Sequence, residues 1–254
     1  MRRFGRHLVS TRRTPLLVLC LVMLQVLSAR PAGAQEVSNV DLELMLAVDV
    51  SSSVNLEEFE LQMRGLSDAF RHPAVLAAIQ STGRTGIAVS VMQWSDEFKQ
   101  TVVVDWMPVH DERSVLTLAR RIRNAPRAIS GGQTAISGAL RFALEEIALN
   151  RFNGRRKVID LSGDGRANAG IHPMPFRDSA VLQGVTVNGL AILNEEPFVD
   201  SYYRYSVIGG TGAFLMTATD YEDFAQAILE KLIKEIDVPF AERPPATVHA
   251  ARIE

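Results

Sequence analysis

Leu42, Leu44, Leu46, Ala47 and Val48 form a short, nearly uninterrupted apolar run that breaks off into Asp49-Val50-Ser51-Ser52-Ser53. No helix cap precedes the run, and a strand that is apolar on both faces needs cover on both sides. Parallel sheets meet that need, because their crossover connections lay helices over each face. One strand of this kind therefore commits the chain to an α/β layering.

The rest of the sequence keeps to that alternation. Asn55 is placed to cap a helix through Phe70, with Glu57 and Glu58 in its first turn and Leu56, Phe59, Met63, Leu66 and Phe70 at helical spacing. A short helical segment follows His72-Pro73 and runs to Ile79. Gly86 to Trp94 reads as a second buried strand, and Phe98 to Trp106 as a third that pairs with it through Ser95-Asp96-Glu97. Asp111 to Asn124 and Thr134 to Leu149 carry helical stripes, and Lys157 to Leu161 is a fourth strand that enters Ser162-Gly163-Asp164-Gly165. Pro173 to Gln183 reads as a helix, Val185 to Leu193 as a strand, and Asn194 to Gly212 as an irregular stretch bearing Tyr202-Tyr203-Arg204-Tyr205. Ala213 to Met216 then reads as a short strand, and Asp220 as the cap of a last helix reaching Ile236. The expected architecture is a three-layer α/β sandwich around a doubly wound, mostly parallel sheet with an antiparallel edge strand.

In such a sheet the loops at the carboxyl ends of the strands share one rim. Three of them carry the chemistry: Asp49, Ser51 and Ser53 in the first, Thr134 after Gly131-Gly132 in the second, and Asp164 between two glycines in the third. Carboxylate and hydroxyl oxygens suit a hard divalent cation. Two carboxylates nearly neutralise such an ion without filling its coordination sphere, which leaves room for an acid from another molecule. Read alone, Asp49 and the serines are equally a turn and helix-start cluster; Thr134 and Asp164 shift the balance to the metal.

Asp-x-Ser-x-Ser at 49, 51 and 53, a separate threonine at 134 and an aspartate in a glycine-flanked turn at 164 resemble the von Willebrand factor A (VWA) domain with its metal ion-dependent adhesion site (MIDAS). The resemblance spans about 41–236 and is nearest to a group of uncharacterised exported bacterial proteins of this class. It implies a VWA/Rossmann-like fold. It also implies that Ser51, Ser53 and Thr134 hold the ion through hydroxyls, while Asp49 and Asp164 act directly or through water. Mg2+ is the expected ion, with Mn2+ or Ca2+ as alternatives, and the expected partner is a protein or ligand carrying a carboxylate.

Residues 1–34 read as a secretory signal peptide: Arg2, Arg3, Arg6, Arg12 and Arg13, an apolar core from Leu16 to Leu27, and a small-residue cleavage site ending at Ala34. A core of about a dozen apolar residues is short of the roughly 20 that span a bilayer. The expected organisation is that leader, a linker at 35–40, the VWA-like domain at 41–236 and a loose tail at 237–254, in a periplasmic or secreted protein with no stable membrane insertion after cleavage. Six of the 27 basic residues and none of the 29 acidic ones precede Gln35, which leaves 21 against 29, a net charge of −8. That balance opposes nucleic acid and anionic membranes as partners. Arg120, Arg121, Arg123 and Arg127 read as a solvated helix face, and Trp94, Phe98 and Trp106 as core or cross-strand packing.

No catalytic set emerges, so the chain is read as a binding module rather than an enzyme. Two alternatives stay open. One is a metal-dependent hydrolase or phosphatase using Asp49, although Ser51 stands where phosphotransferases of the haloacid dehalogenase type need a second aspartate. The other is a structural VWA domain whose partner binds away from the metal.

Overall fold

The computed structural model describes residues 37–237. Six strands form one sheet in the order β3-β2-β1-β4-β5-β6, with β1 Ser38–Asp49, β2 Ile87–Trp94, β3 Gln100–Val109, β4 Phe152–Gly163, β5 Val185–Ile192 and β6 Leu215–Ala218. Each neighbouring pair is parallel except β2 with β3, so the expected mostly parallel sheet with an antiparallel edge is the one observed. The expected leader at 1–34 and, apart from Asp237, the expected tail at 237–254 lie outside the described residues. β1 starts at Ser38, inside the stretch expected as a linker.

Helices α1 Leu56–Arg71, α2 Pro73–Ser81, α3 Glu112–Asn124 and α7 Phe224–Ile236 cover one face, where they bury Leu42, Leu44, Leu46 and Val48 of β1. α4 Ile136–Leu149, α5 Met174–Leu182 and α6 Val199–Ser206 cover the other, over Met45, Ala47, Met92 and Trp94. The two-residue period of β1 thus feeds two separate cores, which is why its sequence shows no polar face. Each large aliphatic side chain buried this way contributes roughly 1.5–3 kcal/mol.

Local chemistry sets the helix starts. Asn55 and Glu58 form a reciprocal capping box, with Asn55 Oδ1 accepting from the Glu58 N–H and Glu58 Oε2 accepting from the Asn55 N–H. Asp111 caps α3 through the Ser114 N–H, and His72 caps α2 ahead of Pro73.

Three elements differ from expectation. The stretch read as irregular contains α6, in which Val199, Tyr203 and Ser206 turn one buried face to the sheet. The last helix begins at Phe224 rather than beside Asp220, because Asp220 Oδ1 accepts from the Asp223 N–H and closes a turn first. Of the aromatic group, Trp94 is fully buried and Trp106 partly so, whereas Phe98 is 80% exposed beneath the Arg141 guanidinium.

Candidate metal centre

The sheet order reverses direction at β1, with β2 on one side and β4 on the other. The connections that leave β1 and β4 therefore part to opposite faces, and a crevice opens beyond their carboxyl ends. Asp49 is the last residue of β1, and Asp164 directly follows β4. Both side chains are buried.

The five expected ligand residues come together there. The Ser51 and Ser53 hydroxyls lie 3.1 Å apart, Ser53 Oγ donates to Asp164 Oδ1 at 2.8 Å, and Thr134 Oγ1 approaches Ser51 Oγ at 3.4 Å. Asp49 Oδ1 accepts from the Ser51 N–H at 2.7 Å. Its other oxygen, Oδ2, is buried without a hydrogen-bond partner. An orphaned carboxylate oxygen in such a place is costly, because the charge has left water without compensation.

Loop pairing brings Thr134 in from a distant part of the chain. The Ser52 N–H donates to Gly132 O and the Gly132 N–H donates to Ser52 Oγ, both at 2.9 Å. Gly131 and Gly132 hold φ of 61° and 126°, and a β-carbon on Gly132 would meet Asp96 and Ser95 at about 2.9 Å. On the other side, Thr134 N–H donates to Asn168 Oδ1 and Thr134 O accepts from the Asn168 N–H, tying the second loop to the third.

Arg127 is not the solvated residue its neighbours suggest. Its Nη2 donates to Val50 O at 2.9 Å, Ser51 O at 3.2 Å and Val54 O at 2.8 Å, while Nε donates to Ile129 O. It staples the Asp49–Ser53 loop to the loop leading to Thr134. Two tyrosines also escaped sequence reasoning. Tyr221 Oη donates to Asp164 Oδ2 at 2.9 Å, and the Tyr203 hydroxyl is buried without a hydrogen-bond partner beneath the site. A β-carbon on Gly163 would lie 2.5 Å from Tyr203 Oη and 2.9 Å from Asp49 Oδ2, so only glycine fits between them.

The electrostatics follow from this packing. Burial, then the Asp164 charge, pushes the Asp49 carboxyl up to about 8, against hydrogen bonds from Ser51 and the Arg127 charge. At about 1.4 kcal/mol per unit, ionised Asp49 is disfavoured relative to water by on the order of 5 kcal/mol. Burial, followed by the Asp164 and Asp49 charges, raises the Tyr221 hydroxyl above its usual range; Tyr203 is raised by burial and the same two carboxylates, Asp49 first. Glu58, on the rim, is raised by burial and by Asp164, Glu195 and Glu222, with the Asn55 N–H opposing. Among the described residues no group of three or more His, Cys, Asp or Glu is placed to hold a metal. A cation here would rest on two carboxylates and three hydroxyls. Those donors fit a hard divalent ion, and the unpartnered Asp49 Oδ2 is the oxygen that such an ion would satisfy.

The six-stranded sheet with one antiparallel edge, opening a switch-point crevice beside these oxygens, is a VWA-like fold. The chain belongs to the family described as "Protein of unknown function (DUF1194)", whose model matches residues 39–239. No curated protein matches it. Among solved structures it is similar to proximal thread matrix protein 1 of the mussel byssus, at 20% identity and a TM-score of 0.57 over 78% of this chain and 48% of that one. A zinc-occupied MIDAS form of the same mussel protein matches at 18% identity and a TM-score of 0.54, over 78% and 48%. The PilB minor pilin of Streptococcus sanguinis matches at 13% identity and 0.58, over 81% and 64%, and a von Willebrand factor type A structure from Catenulispora acidiphila at 15% and 0.54, over 78% and 43%. The chain thus aligns with about half the length of the mussel protein. Among the described residues no helix is long and apolar enough to cross a membrane.

Proposed function

We propose that this chain is an exported binding module that captures an acidic group of a partner protein or ligand through a divalent cation held by Asp49, Ser51, Ser53, Thr134 and Asp164. The observation that carries this reading is the buried Asp49 Oδ2, which has no hydrogen-bond partner, on a carboxyl that feels the charge of a second buried carboxylate, Asp164. A bound Mg2+, or Mn2+ or Ca2+ in its place, supplies an electrophilic centre with room for a partner's carboxylate oxygen. The protein's own residues set that centre up: Arg127 fixes the first loop, the Ser52–Gly132 pairing aligns the second, and Tyr221 orients Asp164. Glu57, Glu58 and Glu222 line a small pocket next to the site. Such a rim repels acids when no cation is present, so the ion decides whether an acidic partner is admitted.

Capture is favoured over hydrolysis by the residues present. The site holds no imidazole, thiol or amine to act as a general base, and the nearest cation, Arg127, donates to backbone carbonyls. The mussel byssus thread matrix protein and the minor pilin among the similar structures accord with a binding role, and the leader-like segment at 1–34 with export.

A pull-down from bacterial envelope extract tests the reading, with wild type and Asp164→Ala each in Mg2+ and in EDTA. The expected result is a partner retained only by wild type in Mg2+. Equal retention in EDTA and by Asp164→Ala would place the partner away from the metal.

A further inference from the structure

The arginines around α3 do not share one environment. Arg127 is committed to loop carbonyls, and Arg121 is exposed on the outer side of the helix. Arg113, Leu116, Arg120 and Arg123 instead fall on one stripe of α3, at successive spacings of three, four and three residues. With Arg71 from the last turn of α1 they wall a groove of about 650 Å³, in which Glu112 is the one acidic lining residue.

None of these four guanidiniums has an ion-pair partner among the described residues. Arg120 Nε makes only a long intrahelical hydrogen bond, 3.4 Å, to Leu116 O. Arg120 and Arg123, like charges three residues apart, work against their own helix, while Arg71 and Arg123 sit in last helical turns where the dipole favours them. Leu116, 40% exposed, gives the groove an apolar patch between the charges. Position separates the groove from the metal centre. α1 leaves the rim at Leu56 and reaches Arg71 at the far end of the sheet, where antiparallel β3 also ends and hands the chain to α3.

We propose that this groove docks an extended acidic segment of a partner protein. Charge complementarity carries the assignment: four guanidiniums outside any ion pair, Arg113 feeling only the charge of Asp111, on a domain whose sequence from residue 35 onward otherwise has 17 basic against 29 acidic residues. Guanidinium groups pair with carboxylates in bidentate fashion, which suits aspartate and glutamate side chains. From Arg113 to Arg123 the stripe covers about 15 Å of helix. An extended segment of about five residues spans that length, with alternate side chains facing the arginines. The concave shape and the Leu116 patch favour a peptide that also brings one apolar side chain.

Fluorescence anisotropy tests this on the full chain in EDTA, with a fluorescein-labelled hexapeptide carrying four glutamates and one leucine. Binding is expected, to weaken with added salt, and to fall about tenfold in Arg120→Glu and further in Arg113→Glu/Arg120→Glu. Arg121→Glu and Asp164→Ala are expected to bind like wild type; the latter separates this site from the metal reading. All four variants replace polar side chains, and circular dichroism checks that each is folded. No binding of the hexapeptide, equal binding of its glutamine counterpart, an unchanged affinity in Arg120→Glu, or preferential binding to phosphatidylglycerol vesicles would overturn the proposal.

Discussion

Two pairs of carboxylates are buried against the carboxyl half of β4, and the fold treats them differently. Asp160 and Glu235 share a cation from within: Lys231 Nζ lies 2.7 Å from Asp160 Oδ1 and also bonds Glu235, to which Asn188 donates at 3.1 Å. Asp49 and Asp164 are surrounded by hydroxyls, and one oxygen of Asp49 is left unpartnered. The first pair takes its counter-charge from α7 and holds that helix to the sheet, although Asp160 Oδ2 and Glu235 Oε2 also lack a hydrogen-bond partner. The second, on the function proposed above, takes its cation from outside. Burial alone therefore does not separate the two pairs; the difference is that the first has an ammonium in direct contact, whereas only the more remote Arg127 charge acts on Asp49.

Removing the internal cation gives the largest expected effect. Lys231→Met leaves Asp160 and Glu235 buried without compensation and is expected to cost about 3–5 kcal/mol in urea unfolding. At the rim, Asp49→Asn removes a buried carboxyl that is costly to ionise and is expected to leave cation-free stability unchanged or higher. If both variants were destabilised alike, the contrast between the two pairs would fail.

Titration sharpens the comparison. Burial, then Glu235, pushes Asp160 up to about 7 against the pull of Lys231, because one ammonium cannot neutralise two carboxylates. Burial opposes the Lys231 charge, but Asp160 and Glu235 outweigh it and raise its pKa. The native state thus holds a proton on Asp160 that the unfolded chain, with a carboxyl near 4, has released. Asp49, raised to about 8, adds to this in the cation-free chain, so stability is expected to fall as pH rises from about 4, by up to about 1.4 kcal/mol per unit for each carboxyl, through about 7 for Asp160 and about 8 for Asp49, where these two contributions end. The Lys231 contribution is present below about 10.5 and is lost above it, as pH passes its raised folded value. Urea midpoints measured across that range check this, and Asp160→Asn is expected to flatten the acid-side slope.

Added cation gives the next effect down. Mg2+ at about a hundred times its dissociation constant is expected to stabilise wild type by about 2.7 kcal/mol, a thermal shift of roughly 5–10 °C, and to leave Asp49→Asn unmoved. The smallest effect belongs to the staple. Arg127→Lys replaces a planar fork that reaches three carbonyls with a single ammonium, and is expected to weaken the ion about tenfold while costing about 1 kcal/mol of stability. An unchanged ion affinity there would show that the loop holds its shape without the guanidinium.

What could be read from sequence divides along physical lines. Asp49, Ser51 and Ser53 were legible because the strand, the turn and the donors lie within five residues. Thr134 and Asp164 were legible only as members of a pattern, since nothing local in either loop demands a ligand. Arg127 was not, because its partners Val50, Ser51 and Val54 lie more than 70 residues away and are carbonyls, which any residue offers. Lys231 and Glu235 resemble an ordinary i,i+4 surface pair; only the depth of Asp160 in β4 draws them inward. α6 escaped because Tyr202, Tyr203 and Tyr205 read as a loop cluster until the sheet supplies a surface for Tyr203 to cover.

The central claim is that the rim's own residues are arranged to hold a divalent cation. Isothermal titration of Mn2+ into the chelator-treated chain tests it most directly, run beside Asp164→Ala and Lys231→Met. The account predicts one ion per chain in wild type, no binding in Asp164→Ala, and binding retained by whatever fraction of Lys231→Met remains folded. No ion bound by wild type, or the same ion bound as tightly by Asp164→Ala, would contradict it.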